Sequence, residues 1–316
     1  MREGNRKEKI RLRCLFFWGG DLRRGRQYVK GIKRLLEEMR LHGVLYVDLE
    51  ELMRNAGESG ASVEPDAPVL CRLMEAVWEE FGIGKSECMA IASGPAMIGA
   101  ADALDLAVAV YENPDAEGKI TGYPSVILGF EEVDFVYMLH IWQRKRGIPW
   151  KILETKRCYL REITLEDLDD LFELYAYKGM TDYIEPLYER KKEEDYQRAY
   201  IENMYGFYGY GMWLVKEKGT DKLIGRAGLE NRLLDGEYEL EMGYAIAAPY
   251  QRQGYAREVC EGVLKYAKET LGFARVNCLI QKENKPSVAL VKKLGFTYLE
   301  SVAEGGKLYG RYIKTS

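Results

Sequence analysis

The chain has 316 residues, a formal charge of −4 at pH 7, 47% hydrophobic and 30% charged residues. That length exceeds one small domain and points to two; the composition is that of a globular chain. The mild acidity argues against a dedicated nucleic-acid binder, and no apolar run approaches the roughly 18 to 20 residues of a membrane span. The start, "MREGNRKEKIRLR", is basic but is followed by no apolar region with a cleavage site, so a signal peptide is not expected. Six cysteines (Cys14, Cys71, Cys88, Cys158, Cys260, Cys278) show no C-x-x-C spacing, and the histidines are His42 and His140. A zinc site is therefore not expected, and free thiols in a reducing cytoplasm are.

In the first half, strand and helix patterns alternate. "IRLRCLFF" predicts a strand, "YVKGIKRLLEEMRLHG" an amphipathic helix and "VLYVD" a strand. "DAPVLCRLMEAVWEEFGI" predicts a helix capped by Asp66, followed by the strand "SECMAIAS", the helix "PAMIGAADAL" and the strand "DLAVAVY". "EEVDFVYMLHIWQRKRG" closes this half as a helix, and "IPWKILETKR" is expected to be a linker. The alternation implies an α/β fold with a parallel sheet covered on both faces, over residues 1–150.

From residue 155 to 316 the pattern changes. "CYLREIT" predicts a strand, "LEDLDDLFELYAY" a helix capped by Thr164, and "EEDYQRAYIENMYGFYG" a second helix. "MWLVKEKGTDKLIGRAGLENR" predicts a hairpin turning at Gly219, Thr220 and Asp221. "YELEMGYAIA" is the next strand and leads through "APYQRQG" into a long amphipathic helix. Then follow strand "RVNCLI", helix "KPSVALVKKLG" and strands "FTYLESV" and "KLYGRYI", which together give an α+β unit with a mixed sheet.

The turn before the long helix carries Gln251, Arg252, Gln253 and Gly254, with Tyr255 and Ala256 opening the helix. The first amides of a helix have no intrahelical acceptor and sit at the positive end of its dipole. Gly254 lets backbone approach an anion unobstructed. The stretch therefore reads as a phosphate cradle, without the Gly-Lys-Ser/Thr of a Walker loop or the G-x-G-x-x-G of a dinucleotide site. A plain strand-to-helix turn would contain the same glycine.

"QRQGYA" together with "NKPSVALVKKLGF" thirty residues on resembles the GNAT superfamily of N-acetyltransferases. Gln251, Gly254 and Ala256 fall on the Q/R-x-x-G-x-G/A motif; Asn284, Ser287 and Leu294–Gly295–Phe296 fall on the second. "LEMGYAIAAPYQRQGYA" looks most like the branch acting on ribosomal-protein N-termini and small amines. The resemblance covers residues 155–316 and implies a splayed, mostly antiparallel sheet. It implies acetyl-CoA as co-substrate, with its pantetheine beside exposed backbone at Ile246 and Ala247. It also implies direct attack by an amine and an oxyanion held by an N–H near Ile246. No metal is implied.

Strand alternation places Glu239 and Glu241 on one face, so either carboxylate is a candidate base or a solvated strand residue. Glu241 matches the acidic position before Gly-Tyr. The tyrosine that many relatives carry seven residues after the motif asparagine is here Val291, which leaves the acid unassigned; Ser287 lies one turn earlier on the same helical face and is the catalytic candidate for the hydrogen bond that a leaving thiolate needs. Tyr175, Tyr177, Tyr183, Tyr188, Tyr196, Tyr200, Tyr205, Phe207, Tyr208, Tyr210 and Trp213 are expected either to wall an acceptor site or to pack the helices on the sheet.

The first half is similar to a haloacid-dehalogenase-like (HAD) domain that lacks its catalytic groups. Ala92 and Ser93 stand where a magnesium aspartate is expected, Ser62 where a lysine is, and Trp18 and Gly20 near the aspartate pair, with Asp21 alone close by. Regulation, dimerisation and ligand sensing are the roles open to such a domain. The whole chain is thus expected to be an acetyl-CoA-dependent N-acetyltransferase with an amine acceptor and no nucleic-acid or membrane partner. The alternative is an acyl-CoA-binding sensor with little or no turnover.

Overall fold

Strand and helix assignments come from a computed structural model that describes residues 11–24, 27–57, 64–113, 122–123, 125–234 and 236–315. Most of the basic start, and Ser62, lie outside the described residues. The chain divides into two units, Met1–Ile148 and Pro149–Ser316.

The first unit contains β1 (Cys14–Phe17), the short hairpin β2 (Arg23–Arg24) and β3 (Gln27–Tyr28), then α1 (Ile32–Leu41), β4 (Leu45–Asp48) and α2 (Leu49–Asn55). Further on come α3 (Ala67–Phe81), β5 (Cys88–Ala92), α4 (Pro95–Ala103), β6 (Ala107–Tyr111), β7 (Val126–Ile127) and α5 (Phe135–Lys145). Its sheet is parallel, in the order β4-β1-β5-β6-β7. Successive residues of β1 feed opposite cores, as strand geometry requires. Leu15 and Phe17 pack with Leu35 and Met39 of α1 and Trp142 of α5. Cys14 and Phe16 pack with Leu70 and Met74 of α3 and Met97 of α4. Both faces being covered explains why "CLFF" and "CMAIA" read as unbroken apolar runs.

The sequence places the first helix from Tyr28, but it starts at Ile32: Tyr28 pairs with Arg23 in the hairpin, and Gly31 breaks the run at φ 91°. Helix α2 has no apolar periodicity to announce it. Its start is fixed by Asp48, whose carboxylate accepts from the Glu50 and Glu51 amides at 3.0 and 3.3 Å. Asp66 does precede α3, yet its side chain makes no capping bond; Pro68 in the first turn sets the helix start instead.

The second unit carries β8 (Lys151–Glu154), β9 (Cys158–Arg161), α6 (Leu168–Tyr175), α7 (Arg190–Tyr200), β10 (Met212–Glu217), β11 (Leu223–Leu234) and β12 (Glu237–Ile246). It continues with α8 (Tyr255–Glu269), β13 (Arg275–Gln281), α9 (Lys285–Lys293), β14 (Thr297–Glu304) and β15 (Lys307–Thr315). The strands form one sheet, ordered β14-β15-β13-β12-β11-β10-β9-β8, antiparallel except where β12 meets β13. Two expectations need correction. Residues 151–154 are not linker: they form the edge strand β8, paired with β9. Gly262 in α8 makes room for that edge, because a Cβ there would come within 3.1 Å of Leu153 and Thr155. The helix expected at Thr164 begins with a 3-10 turn, whose Asp167 carboxylate accepts from the Thr164 amide at 2.8 Å. Helix α7 also widens into a π-helix over Ile201–Tyr208.

Candidate active site

The turn at residues 251–254 holds its shape through its own polar side chains. Gln251 donates from Nε2 to the Ile246 carbonyl at 2.8 Å, and Gln253 from Nε2 to the Pro249 carbonyl at 2.6 Å. Arg252 and Gly254 both take left-handed backbone, at φ 60° and 85°. For a non-glycine residue such as Arg252 that geometry costs of order 1 kcal/mol. Gly254 caps α8 without a side-chain bond to the first-turn amides. Arg157 braces the turn from below: its Nη1 reaches the Gln253 carbonyl at 3.0 Å, its Nε the Glu258 carboxylate at 2.7 Å, and its guanidinium lies 4.0 Å from the centre of the Tyr255 ring. Tyr255 is buried, and its hydroxyl donates to Glu217 at 2.6 Å.

A cavity of about 640 Å³ opens beside this turn. Gln251, Arg252, Gly254 and Ala256 line it from the turn and α8, Tyr244, Ala245 and Ile246 from β12, and Asn284, Ser287 and Leu290 from α9 and its start. The loop after α6 closes it with Lys178, Met180, Asp182 and Tyr183. Among the described residues its charged lining is Lys178, Arg252, Arg257 and Lys293 against Asp182, a clear cationic excess.

The cavity exists because β12 and β13 part. They register at Glu241 opposite Asn277 and then separate. Side chains fill the first gaps: Asn277 Nδ2 donates to the Leu240 carbonyl at 3.3 Å, and Cys278 Sγ to the Met242 carbonyl at 3.4 Å. By ladder alternation, the backbone groups of Tyr244 and Ile246 turn toward the gap. Ala247 does not fit its expected part, because its amide donates to the Ile224 carbonyl of the neighbouring strand at 2.9 Å. The Ile246 carbonyl is held by Gln251, which leaves its N–H as the group facing the gap.

Glu239 and Glu241 share a face, as alternation requires, but neither is a solvated strand residue. Glu239 is buried and accepts from Arg311 and from Asn277 at 3.1 Å each, with Arg275 also paired to it. It is a structural ion cluster. Glu241 stands at the point of separation, paired with Arg232, which also holds Glu304. Burial raises the Glu241 carboxyl above the usual carboxylate range; Arg232 pulls it down and the neighbouring Glu230 adds to the rise.

Asn284 caps α9, its Oδ1 accepting from the Ser287 amide at 3.2 Å. Val291 is fully buried in the core, so position 291 presents nothing to the cavity. Tyr244, which the motif reading passed over, lines the cavity with its hydroxyl 3.3 Å from the Ser287 carbonyl. Alternation with Leu240, Met242 and Ile246 was the sequence signal that it shares their face.

The aromatic set divides. Tyr205 and Trp213 are fully buried and Tyr200 and Tyr210 nearly so. Tyr200 donates to Glu230 at 2.7 Å and accepts from the Met212 amide at 2.7 Å. Tyr175 holds the buried Arg226 at 3.2 Å. Tyr177, Tyr188, Tyr196, Phe207 and Tyr208 are exposed. Tyr183 lines the cavity, its hydroxyl 3.3 Å from the Glu283 carbonyl.

In the first unit the carboxyl ends of β1, β4 and β5 bring together Asp21, Asp48, Glu50 and Glu64 with Arg23 and Ser93. Arg23 pairs with Asp48 and with Glu50, the latter at 2.9 Å. Glu64 accepts from the Met97 amide at 3.1 Å; burial, and then the charge of Asp21, push its carboxyl up to about 7. Among the described residues no group of three or more His, Cys, Asp or Glu is arranged to hold a metal ion.

A parted parallel strand pair and a cation-rich cavity running from the parting to a helix start leave an open, positively charged groove in the second unit. Residues 157–297 match the acetyltransferase (GNAT) domain. The uncharacterized N-acetyltransferase YoaA of Bacillus subtilis (strain 168) is 30% identical over 150 residues, 46% of this chain and 82% of YoaA. The uncharacterized protein YkkB of the same organism is 27% identical over 109 residues, and the matched segment spans 34% of this chain and 63% of YkkB. The crystal structure of a GNAT-family acetyltransferase from Bacillus anthracis superposes with a TM-score of 0.42 at 22% identity, covering 51% of this chain and 95% of that one. The chain belongs to the GNAT family of N-acetyltransferases.

Proposed function

We propose that the second unit moves acetyl from acetyl-CoA to the nitrogen of a small-molecule or peptide amine by direct attack. The observation that carries this reading is the cavity itself, which joins the uncapped start of α8 to the gap between β12 and β13. The residues fit the donor. Free amides at a helix start, a glycine without a Cβ and flanking cations suit a pyrophosphate. Gln251, Arg252, Gln253, Gly254, Tyr255 and Ala256 would shape or line that end, and Asn284 and Ser287 the pantetheine wall. The N–H of Ile246 would hold the thioester oxygen as charge develops on it.

Glu241 is our candidate for the base, reached directly or through water. Its raised carboxyl lies nearer the working range of proton transfer than an exposed glutamate does. We assign the first unit a non-catalytic role in a HAD-like fold. Its parallel sheet supports that reading, with β1 between β4 and β5 and Ala92–Ser93 at the end of β5. The test is calorimetry with CoA, followed by acetyl-CoA consumption against a panel of amines. CoA binding with no turnover on any amine would favour the second reading, an acyl-CoA sensor, which the burial of Val291 supports.

A further inference from the structure

A thioester that releases its thiol inside a protein must put the electron pair somewhere. The carbon–sulfur bond breaks, sulfur takes the pair, and a thiolate forms where water is scarce. A hydrogen-bond donor aimed at that sulfur lowers the barrier, because an unpaired buried charge is expensive. The donor must come from the lining of the cavity, and position 291 supplies none.

Tyr244 meets the requirement by geometry. It follows the parting of β12 from β13 by three residues, so it sits where pantetheine must pass. Its ring lies on the α8 and α9 side of the sheet, and its hydroxyl reaches the first turn of α9. Tyr244 delivers its hydroxyl from the strand to the first turn of α9, beside Ser287, which lines the cavity. The present partner is a weak one. The Ser287 carbonyl lies one turn before Val291 in α9, where the helix's own bonding also calls on it. The contact of 3.3 Å exceeds the usual O–H···O range. The hydroxyl can turn to a better acceptor without leaving a bare group behind.

We propose that Tyr244 is a catalytic residue that donates a hydrogen bond to the departing CoA sulfur. This rests on the acetyl-CoA reading above. The balance closes: the amine nitrogen bonds to the acetyl carbon, the carbon–sulfur bond breaks with its electron pair going to sulfur, the proton shed by nitrogen passes to the base and on through water to the thiolate, and the phenol keeps its own proton while it holds the sulfur. Burial lifts the Tyr244 hydroxyl well above its ordinary range, so the phenol stays protonated at neutral pH and is available as a donor.

The experiment uses the full chain and CoA itself, so it needs no acceptor. The ultraviolet absorbance of the thiolate is followed against pH for CoA bound to wild type and to Tyr244→Phe, with CoA affinity measured by calorimetry at neutral pH. A donor to the thiolate lowers the ionisation of the bound thiol. In Tyr244→Phe it should therefore rise by about one pH unit, with CoA affinity within about twofold because the ring and its packing stay. A tyrosine fluorinated on the ring at 244, isosteric and more acidic, should lower it below wild type; this variant serves if Tyr244→Phe fails to fold. Identical thiol ionisation in the proteins, with CoA bound, overturns the proposal alone. Absence of CoA binding to wild type overturns the acetyl-CoA reading and the proposal with it.

Discussion

Glu241 faces Asn277 across the registered pair that joins β12 to β13. The cavity lined by β12, the 251–254 turn and α9 begins beyond that pair, where the strands no longer bond. The carboxylate at the parting is held by Arg232, so its charge is compensated and its position fixed.

Glu241→Gln keeps the size and the hydrogen bonding but not the basicity. Turnover with any accepted amine should fall by roughly 10² to 10⁴, with CoA affinity little changed. In wild type the rate should decline as pH falls through the raised pKa of this carboxyl, since only the ionised form accepts a proton. The mutant should lack that limb. Equal rates for the two proteins across the pH range would remove Glu241 as the base.

Gly254→Glu should weaken CoA binding by at least about tenfold, or 1.4 kcal/mol. It adds a negative charge at the helix start and a Cβ on backbone at φ 85°. Gly254→Asn tolerates that backbone better and should retain more of the affinity. Calorimetry with CoA distinguishes them, and unchanged affinity in the glutamate variant would place the phosphates elsewhere.

A fragment that starts at Pro149 should fold and bind CoA, whereas one that starts at Thr155 should be less stable by about 2 kcal/mol. The shorter piece loses β8 and the Leu153 side chain packed at Gly262. Denaturant midpoints of the two fragments test this. Equal midpoints would show that the edge strand contributes nothing.

Val291→Tyr should destabilise rather than activate. The site is fully buried, and a ring there overpacks the core by roughly 1 to 3 kcal/mol. Thermal unfolding of the variant is the measurement, and a rise in acetyl transfer without loss of stability would contradict the expectation.

Glu64 sets a pH dependence in the first unit. Its carboxyl is raised to about 7, so the folded chain holds this proton more tightly than the unfolded chain. The stability it contributes is complete below the ordinary carboxylate pKa of 4.5 and is lost as pH rises toward about 7. Glu64→Gln keeps the acceptor for Met97 and should flatten that decline, leaving the variant more stable than wild type at pH above about 7. Denaturant unfolding at a series of pH values reads it directly.

The sequence by itself determined the element order from β9 onward and the helix start that suits a phosphate. Those signals are local: apolar periodicity, a glycine at a turn and an asparagine cap depend only on near neighbours in the chain. It also determined that Glu239 and Glu241 share a face, since strands alternate with period two. What each of these carboxylates does was decided in three dimensions. Arg311 and Arg275 come from distant strands to neutralise Glu239, whereas Glu241 lands at the parting of two strands. The edge strand at 151–154 was hidden because a half-buried edge has weak alternation and its partner lies across a turn. Gln251 and Gln253 read as ligand groups, yet they bond back to the turn, because backbone carbonyls lay within their reach. Tyr244 was invisible as a donor for the same reason that Val291 stood out as a gap. Sequence fixes which residue is at a position in a motif, whereas only packing brings a strand hydroxyl to the helix turn where that motif leaves none.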